Sequence, residues 1–403
     1  MQQTQPKLWT KDFIIVSSVN FFLTLIFYLL MVTIAVYAVD EYTATTSQAG
    51  LVTGIFIIGT LIGRLFIGRM IDTIGRKRML IIGLIFFTLT TLLYFADLGI
   101  TFLLFTRFLH GISLGIASTA SGTIVAQIIP AQRKGEGIGY FSMSTTLATA
   151  FGPFIGLFMS QHTNFQIIFL FCLILGVLNL ITGFLVKVPP LEPSTTSTKS
   201  EEKTMKLSSF VEPKALPIAL ITLVISFYYS SVLSFINFYA MEVNLVEAAS
   251  LFFIVYSIAV LISRPFTGRL IDLKGANYVM YPGFFLLGAG LLLLSSATNS
   301  LTLLSAGALI GLGFGNMQSC SQAIAVKLTP PHRMGLATST FFIFLDAGLG
   351  FGPYILGFII PLTGYSTLYV ILGILSIATV ILYFFLYGRK EREAKANMKT
   401  SSI

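Results

Sequence analysis

Apolar residues fill this chain in long unbroken runs, and polar residues gather in short groups between them. The runs lie at about 13–38, 47–68, 79–97, 99–123, 138–160, 164–187, 215–240, 248–270, 278–297, 301–326, 336–360 and 365–388. Each is close to 20 residues, and at about 1.5 Å of rise per residue a helix of that length crosses a hydrocarbon layer roughly 30 Å thick. None alternates with the period of two that a membrane β-barrel strand requires. A continuous apolar run in lipid must satisfy its backbone hydrogen bonds internally, which selects helices. The pattern predicts an all-α integral membrane protein with twelve transmembrane helices.

Composition agrees with the pattern. Of 403 residues, 55% are hydrophobic and 10% are charged, against about 25% charged in a soluble domain. The charge distribution adds orientation. Arg64, Arg107 and Arg264 fall inside apolar runs, while the other 22 of the 25 Lys and Arg lie at the termini or in the even-numbered loops. The odd-numbered loops carry acids instead, among them Asp40, Glu41, Asp97, Glu242 and Glu247. The positive-inside rule then places both termini and the central loop in the cytoplasm, in a multi-pass protein of the cell membrane. The formal charge of +9 reads as a topology signal that also attracts anionic lipid, with no call for nucleic acid. The first apolar run is too long for the h-region of a signal peptide and is expected to be a retained span. Cys172 and Cys320, each within a span, suggest neither a disulfide framework nor a metal site.

The chain also repeats itself. With an offset of 200, Ile62–Leu80 and Ile262–Met280 share eight of nineteen residues: Ile62, Arg64, Phe66, Gly68, Arg69, Ile71, Asp72 and Gly75 all recur. The same register aligns "GISLG" at 111–115 with "GLGFG" at 311–315, Pro130 and Arg133 with Pro330 and Arg333, and "FGP" at 151–153 with "FGP" at 351–353. Between the copies, Val188–Lys214 is rich in Pro, Ser, Thr and charge, a linker composition that neither packs as a core nor crosses lipid. The expected organisation is a six-helix bundle over 1–187, a cytoplasmic linker over 188–214, a second six-helix bundle over 215–388 and a cytoplasmic tail over 389–403. Parallel repeats of this kind are one architecture of secondary transporters.

The loop between spans 2 and 3, "GRMIDTIGRKRML", carries Gly68, Asp72, Gly75, Arg76, Lys77 and Arg78 in a spacing that resembles the signature loop of the major facilitator superfamily. Gly268, Asp272 and Gly275 resemble that family's degenerate second copy. Thr73 stands where the family usually has Arg. "RFLHG" at 107–111 is similar to the family's R-x-x-Q-G element, with His110 at the Gln position. "AFGPFIG" at 150–156, with Gly152, Pro153 and Gly156, resembles the antiporter element of its proton-coupled drug and metabolite exporters, with Ala148 and Leu157 in place of two glycines. The resemblance implies that Asp72 meets the start of span 11, near Gly335–Leu336, and helps favour one state of a gate. A solvated loop with an ion pair from Asp72 to Arg76 or Arg78 is the simpler reading.

Charges within spans persist only where paired or wet. Arg64 and Arg264 sit about one turn from span ends and are expected to snorkel to the surface. Arg107 lies too deep for that. Asp346 is the only carboxylate deep within any predicted span, and a titratable acid in a wet cavity is what proton coupling requires. With Arg107 and His110 it forms the candidate coupling and substrate group, although helix-to-helix bonding explains His110 as well. The stretches "SFYYSSVLSFINFY" at 226–239 and "NMQSCSQ" at 316–322 mix polar groups and aromatics into apolar helices. They supply Phe227, Tyr228, Asn237, Asn316 and Gln318 as candidates to line a cavity, joined by Asn20 and Tyr28 from span 1. Polar groups of this kind also hold helices together.

No G-x-x-x-x-G-K-[ST] phosphate loop and no cluster of catalytic residues occurs, so the chain is expected to be neither an ATP-driven pump nor an enzyme. The expectation is a secondary active transporter working by alternating access, a proton-coupled antiporter for efflux of an amphipathic drug-like compound or a small secreted metabolite. Alternatives are a proton-coupled uptake symporter, or an exporter dedicated to an anionic or zwitterionic metallophore-like metabolite. Its expected partners are the solute, protons and lipid; it is expected to work as a monomer, without cofactor or metal.

Overall fold

The computed structural model describes residues 7–44, 46–189 and 210–393 of the chain. Among these residues the backbone is helical, with short turns and no strand. The first half contains α1 (Lys11–Tyr42), α2 (Thr46–Ile74), α3 (Arg76–Leu92), α4 (Ile100–Ile128), α5 (Lys134–His162) and α6 (Phe165–Leu185). The second contains α7 (Leu216–Glu242), α8 (Val246–Leu273) and α9 (Asn277–Ser295). Its tenth span is α10 (Ser300–Ile310), a π turn at Gly311–Gly315 and α11 (Asn316–Lys327). The eleventh and twelfth spans are both in α12 (Met334–Tyr383), which parts at Gly364, where φ is 75° and ψ 169°. Eleven continuous helical segments are long and apolar enough to cross a membrane. With that break in the last of them, the described residues supply twelve spans.

The helices run past the apolar stretches because their polar ends close their own hydrogen bonds. Thr10 Oγ1 accepts the Phe13 N–H at 3.2 Å, Asn164 Oδ1 accepts the Ile167 N–H at 3.0 Å, and Asn299 and Thr302 form a reciprocal capping box. Such side chains satisfy N–H groups that a helix start leaves open. One residue alone separates α2 from α3. Gly75 turns the chain there with φ at 107°, and Gly275 does the same after α8 with φ at 94°. A side chain at either position would be strained in that backbone region.

The chain divides into two compact units. Unit 1 comprises the described residues of Met1–Pro130, Leu147–Pro213 and Leu328–Ile343; unit 2 comprises those of Ala131–Thr146, Lys214–Lys327 and Phe344–Ile403. The first half of α5 therefore packs with the second-half helices, and the first turns of α12 pack with the first-half helices. Much of the linker (190–209) and the end of the tail (394–403) lie outside the described residues. What is described of the linker's end corrects the expectation of a segment that does not pack. Glu212 is 2% exposed in unit 1, its backbone N–H donates to Thr340 Oγ1 at 2.8 Å, and its carboxylate pairs with Arg333 at 2.8 Å.

Unit 1 is organised by the contact of α2 with α4. A Cβ built on Gly59 would stand 2.2 Å from the Phe108 carbonyl oxygen, and one on Gly111 would stand 2.1 Å from that of Phe56. One turn on, Gly63 would meet the Ile112 oxygen at 2.4 Å, and Gly115 the Thr60 oxygen at 2.4 Å. Both helices thus present glycines four residues apart, and backbone lies directly on backbone. Apolar burial contributes little to helix association in lipid, because the tails are as apolar as the side chains; close packing takes its place. In unit 2 the same offset of 200 brings Gly311 to the Tyr256 oxygen, where a Cβ would stand at 2.6 Å, inside the π turn. Cys172 and Cys320 are both free and buried.

This packing generates a stability prediction. Gly111→Ala and Gly115→Ala should each lower the melting temperature of the detergent-solubilised protein, since overpacking costs about 1–3 kcal/mol. Gly54→Ala on α2, where nothing lies within 4 Å of the new Cβ, should leave it unchanged or slightly raised. Equal melting curves for all three variants would contradict the backbone-to-backbone contact.

Candidate functional site

The turn at Gly75 sets the first site. Because α3 begins one residue after α2 ends, Arg76 stands four residues from Asp72 and folds back onto it. Asp72 Oδ1 accepts from Arg76 Nε at 2.9 Å and Nη2 at 2.7 Å, while Oδ2 accepts the Gly335 N–H at 3.1 Å. Gly335 is in the first turn of α12, where N–H groups lack helical partners and the helix dipole is positive, so an anion is favoured there. The two carboxylate oxygens thus divide their partners, one binding the cation of its own loop and the other the start of a distant helix in the same unit.

Arg76 is the hub of this cluster. Its side chain is 1% exposed, and besides Asp72 it donates to Gln127 Oε1 at 2.9 Å and to the Pro331 carbonyl at 2.5 Å. The approach of α12 to α2 is equally close. A Cβ on Gly335 would collide with Ile71, and one on Gly68 would stand 2.6 Å from Ser339. The Ser339 hydroxyl donates to the Arg64 carbonyl at 2.5 Å, and the Arg64 guanidinium lies 4.3 Å from the centre of the Phe342 ring. Beside this, Arg333 is held by Glu212.

Unit 2 contains the counterpart with its charges redistributed. Asp272 Oδ1 accepts the Gly135 N–H and Oδ2 the Glu136 N–H, both at 2.8 Å, in the first turn of α5. Its cation is Lys327, at 2.6 Å. Lys327 stands 200 residues from Gln127, and Ala276 occupies the place of Arg76, so the neutralising charge comes from the end of the tenth span instead of the loop. Glu136 pairs with Arg133 at 2.7 Å and with Arg269 at 3.6 Å. Gly268 makes the close approach here, where a Cβ would stand 2.8 Å from Glu136 Cα.

The other loop cations play smaller parts. Lys77 donates to the Phe184 carbonyl at 3.2 Å, and Arg78 is exposed. Arg64 and Arg264 do not snorkel as expected: they are 5% and 2% exposed. Arg64 reaches Thr119 Oγ1 at 3.4 Å as well as the Phe342 ring. Each side chain is covered by neighbouring helices of its own unit instead.

Arg107 and His110 are brought together, inside unit 1. Both are 0% exposed. Arg107 donates from Nε to the Val52 carbonyl at 3.2 Å and from Nη1 to the Tyr94 hydroxyl at 3.3 Å, with its guanidinium 4.3 Å from the centre of the Phe56 ring. The same Tyr94 hydroxyl bonds His110 Nδ1 at 3.0 Å. Cation–π contact and a neutral hydroxyl thus surround the buried charge, with no carboxylate within ion-pair distance among the described residues. Asp346 is half-buried in α12, in unit 2. Gly152 and Gly156 let α5 close onto α1, their would-be Cβ atoms 2.6 Å from Tyr28 Cβ and 2.7 Å from the Leu29 oxygen, and Pro153 is half-buried between them in a helix that continues.

The remaining candidates separate by environment. Asn316 is 3% exposed and fully engaged, donating to Ser263 Oγ at 2.8 Å and accepting from Thr267 Oγ1 at 2.9 Å. Tyr228 bonds Thr379 Oγ1 at 3.0 Å. Both join helices inside unit 2. Asn20 is buried; Tyr28, Phe227 and Gln318 are half-buried; Asn237 is exposed. Sequence reasoning passed over Gln127, Glu136, Glu212, Lys327 and Arg333. The recurrence of Arg133 at Arg333, with Glu136 one turn on, was the signal that could have found this second layer of charge.

Comparison with known proteins identifies the family. The pattern defining the Major Facilitator Superfamily matches residues 16–246 and 245–402. An uncharacterized MFS-type transporter of Methanocaldococcus jannaschii is 28% identical over 357 residues, covering 87% of this chain and 91% of that protein. The staphylopine export protein of Staphylococcus aureus is 22% identical over 354 residues, 85% of this chain and 87% of its own length. The quinolone resistance protein NorA of the same species is 28% identical over 187 residues, about half of each chain. Among solved structures, the human organic anion transporter MFSD10 superposes with a TM-score of 0.75 at 15% identity over 95% of this chain and 100% of that one. The transporter FucP in its outward conformation gives 0.73 at 17% identity over 94% and 99%. With a family pattern that covers nearly all of its length, two six-helix repeats and a paired loop carboxylate in each unit, this chain belongs to the Major Facilitator Superfamily and is a membrane transporter, not an enzyme.

Proposed function

We propose that the protein is a proton-coupled antiporter that exports a small amphipathic or metallophore-like molecule by alternating access. The observation that carries the reading is the pair of carboxylate latches, Asp72 on the Gly335 N–H and Asp272 on the Gly135 and Glu136 N–H groups. A contact between a carboxylate and the open N–H groups of a helix start is strong enough to hold a state. It is also weak enough to break, since charge-assisted hydrogen bonds contribute about 1.5–3 kcal/mol each. Export as the direction is supported by the Gly152–Pro153–Gly156 element and by the names of two relatives, a staphylopine exporter and a quinolone resistance protein.

For coupling, one group must exchange its proton within each cycle. An arginine does not deprotonate in proteins, and His110 is enclosed among Phe56, Phe87 and Tyr94. Asp346 is therefore the coupling carboxylate in this reading. Both termini and the linker lie on the cytoplasmic side of the cell membrane, because the cations do.

Three outcomes follow. Asp72→Asn should reduce transport several-fold and lower thermal stability, because it leaves Arg76 buried without its counter-charge, a loss of about 3–5 kcal/mol for a fully buried pair. Asp72→Asn with Arg76→Gln should regain much of the melting temperature but not the transport; recovery of both would make the loop purely structural. Asp346→Asn, assayed for proton and substrate flux in proteoliposomes, should abolish gradient-driven export and keep equilibrium exchange. Concentrative export at a near-normal rate would remove Asp346 from coupling. In intact cells, a cysteine replacing Thr298 beside the α10 cap should react with impermeant thiol reagents and one replacing Ser200 should not, while both native cysteines are buried. The reverse labelling pattern would invert the topology.

A further inference from the structure

We propose that unit 1 carries a second ligand site, for a small organic cation of the quaternary ammonium type, in a cavity among the ends of α1 and α3 and the start of α6. The cavity holds about 260 Å³ and is lined by Tyr37 and Glu41 of α1, Tyr94, Phe95 and Asp97 after α3, and Asn164, Phe165, Gln166 and Phe169 around the start of α6. Every one of these residues belongs to unit 1. The site owes nothing to the transport reading and stands or falls separately from it.

The floor is aromatic and fixed. Tyr94 and Phe169 stack at 5.2 Å, and Tyr37 meets Phe165 at 5.0 Å and Phe169 edge-on at 5.1 Å. Phe169, Tyr94 and Tyr37 are buried in the protein, at 2%, 3% and 7% exposure. The mouth is acidic: Glu41 and Asp97 are exposed, and no Lys or Arg lines the cavity. Aromatic rings lining the cavity and carboxylates at its rim together favour a cation over an anion.

The polar groups select among cations. The Tyr94 hydroxyl is occupied by His110 and Arg107, the Tyr37 hydroxyl meets that of Tyr42 at 3.1 Å, and the Asn164 side chain caps α6. These three groups are already committed, which favours a cation that needs few hydrogen bonds. Arg107, reaching Tyr94 from inside the unit, opposes a concentrated or divalent charge at the floor and favours a diffuse monovalent one near the mouth. The volume falls below the roughly 300–1,000 Å³ of drug-sized sites, so the ligand is small.

The test is calorimetric titration of benzyltrimethylammonium into the purified full-length protein in nanodiscs, with (2,2-dimethylpropyl)benzene, its uncharged isostere, in parallel. Wild type should bind the cation saturably and the neutral compound at least tenfold more weakly. Glu41→Gln with Asp97→Asn, both exposed and therefore compatible with folding, should weaken cation binding at least tenfold at an unchanged melting temperature. Gln166→Cys should bind the cation until a bulky thiol reagent fills the mouth, after which binding should be lost. Absence of saturable binding to wild type would overturn the proposal. So would undiminished affinity in the double variant or in blocked Gln166→Cys, which would place the probe elsewhere in the protein.

Discussion

A carboxylate that closes the open start of another helix is the interaction on which the charged end of this protein depends. Asp72 and Asp272 each stand near the end of a helix and each accepts N–H groups that α12 and α5 leave without helical partners. The contact works because both sides need it. A helix start in a low-dielectric environment carries unsatisfied donors, and a carboxylate at 14% or 7% exposure has shed most of its water. Removing either side leaves the other buried and unsatisfied, so the two helices are held in register by a shared requirement and not by bulk apolar packing.

Around that contact the two units solve the same electrostatic problem with different residues. In unit 1 the neutralising cation is Arg76, one turn from its acid, and Gln127 is a neutral side chain that accepts from Arg76. In unit 2 the loop position is Ala276, and Lys327 supplies the charge from the place that corresponds to Gln127. The flanking arginines follow the same logic: Arg133 finds Glu136 three residues on, while Arg333, with Leu336 at that position, is met by Glu212 from the linker's end. A guanidinium with a local partner and one whose partner comes from outside the repeat differ in what can release them. Glu212 ties Arg333 to the linker's end, and Glu136 ties Arg133 within its own turn of chain.

Deeper in unit 1 the constraint is steric. Gly59, Gly63, Gly111 and Gly115 bring α2 and α4 into backbone contact, and that approach carries Arg107 to the Val52 carbonyl and the Phe56 ring. An isolated buried cation is costly in any medium of low polarity. Here a ring face, a carbonyl and a tyrosine hydroxyl share it, and Tyr94 passes the contact on to His110. The network is thereby part of how the unit holds together, and through Tyr94 it reaches the floor of the aromatic cavity.

The sequence by itself determined the helices, their number and their pairing into repeats, because each of those rests on chain-local physics. A run of about 20 apolar residues has one way to satisfy its backbone in lipid; Gly75 and Gly275 recur because the tight connections after α2 and α8 need positive φ there; the offset of 200 is read by alignment alone. It also marked Asp72 and Arg107 as charges in need of an explanation. Only the tertiary structure decided what satisfies them. Arg76 is indistinguishable in the sequence from Lys77 and Arg78, yet it alone is buried, because burial depends on Gln127 and Pro331 arriving from 51 and 255 residues away. Arg64 and Arg264 lie near enough to span ends to reach water, but neighbouring helices pack over both. Glu212 sits in a segment of linker composition, and Arg333 and Thr340 draw it into the protein. Composition and spacing report what a segment prefers when alone; which partner meets a charge depends on contacts between residues far apart in the chain.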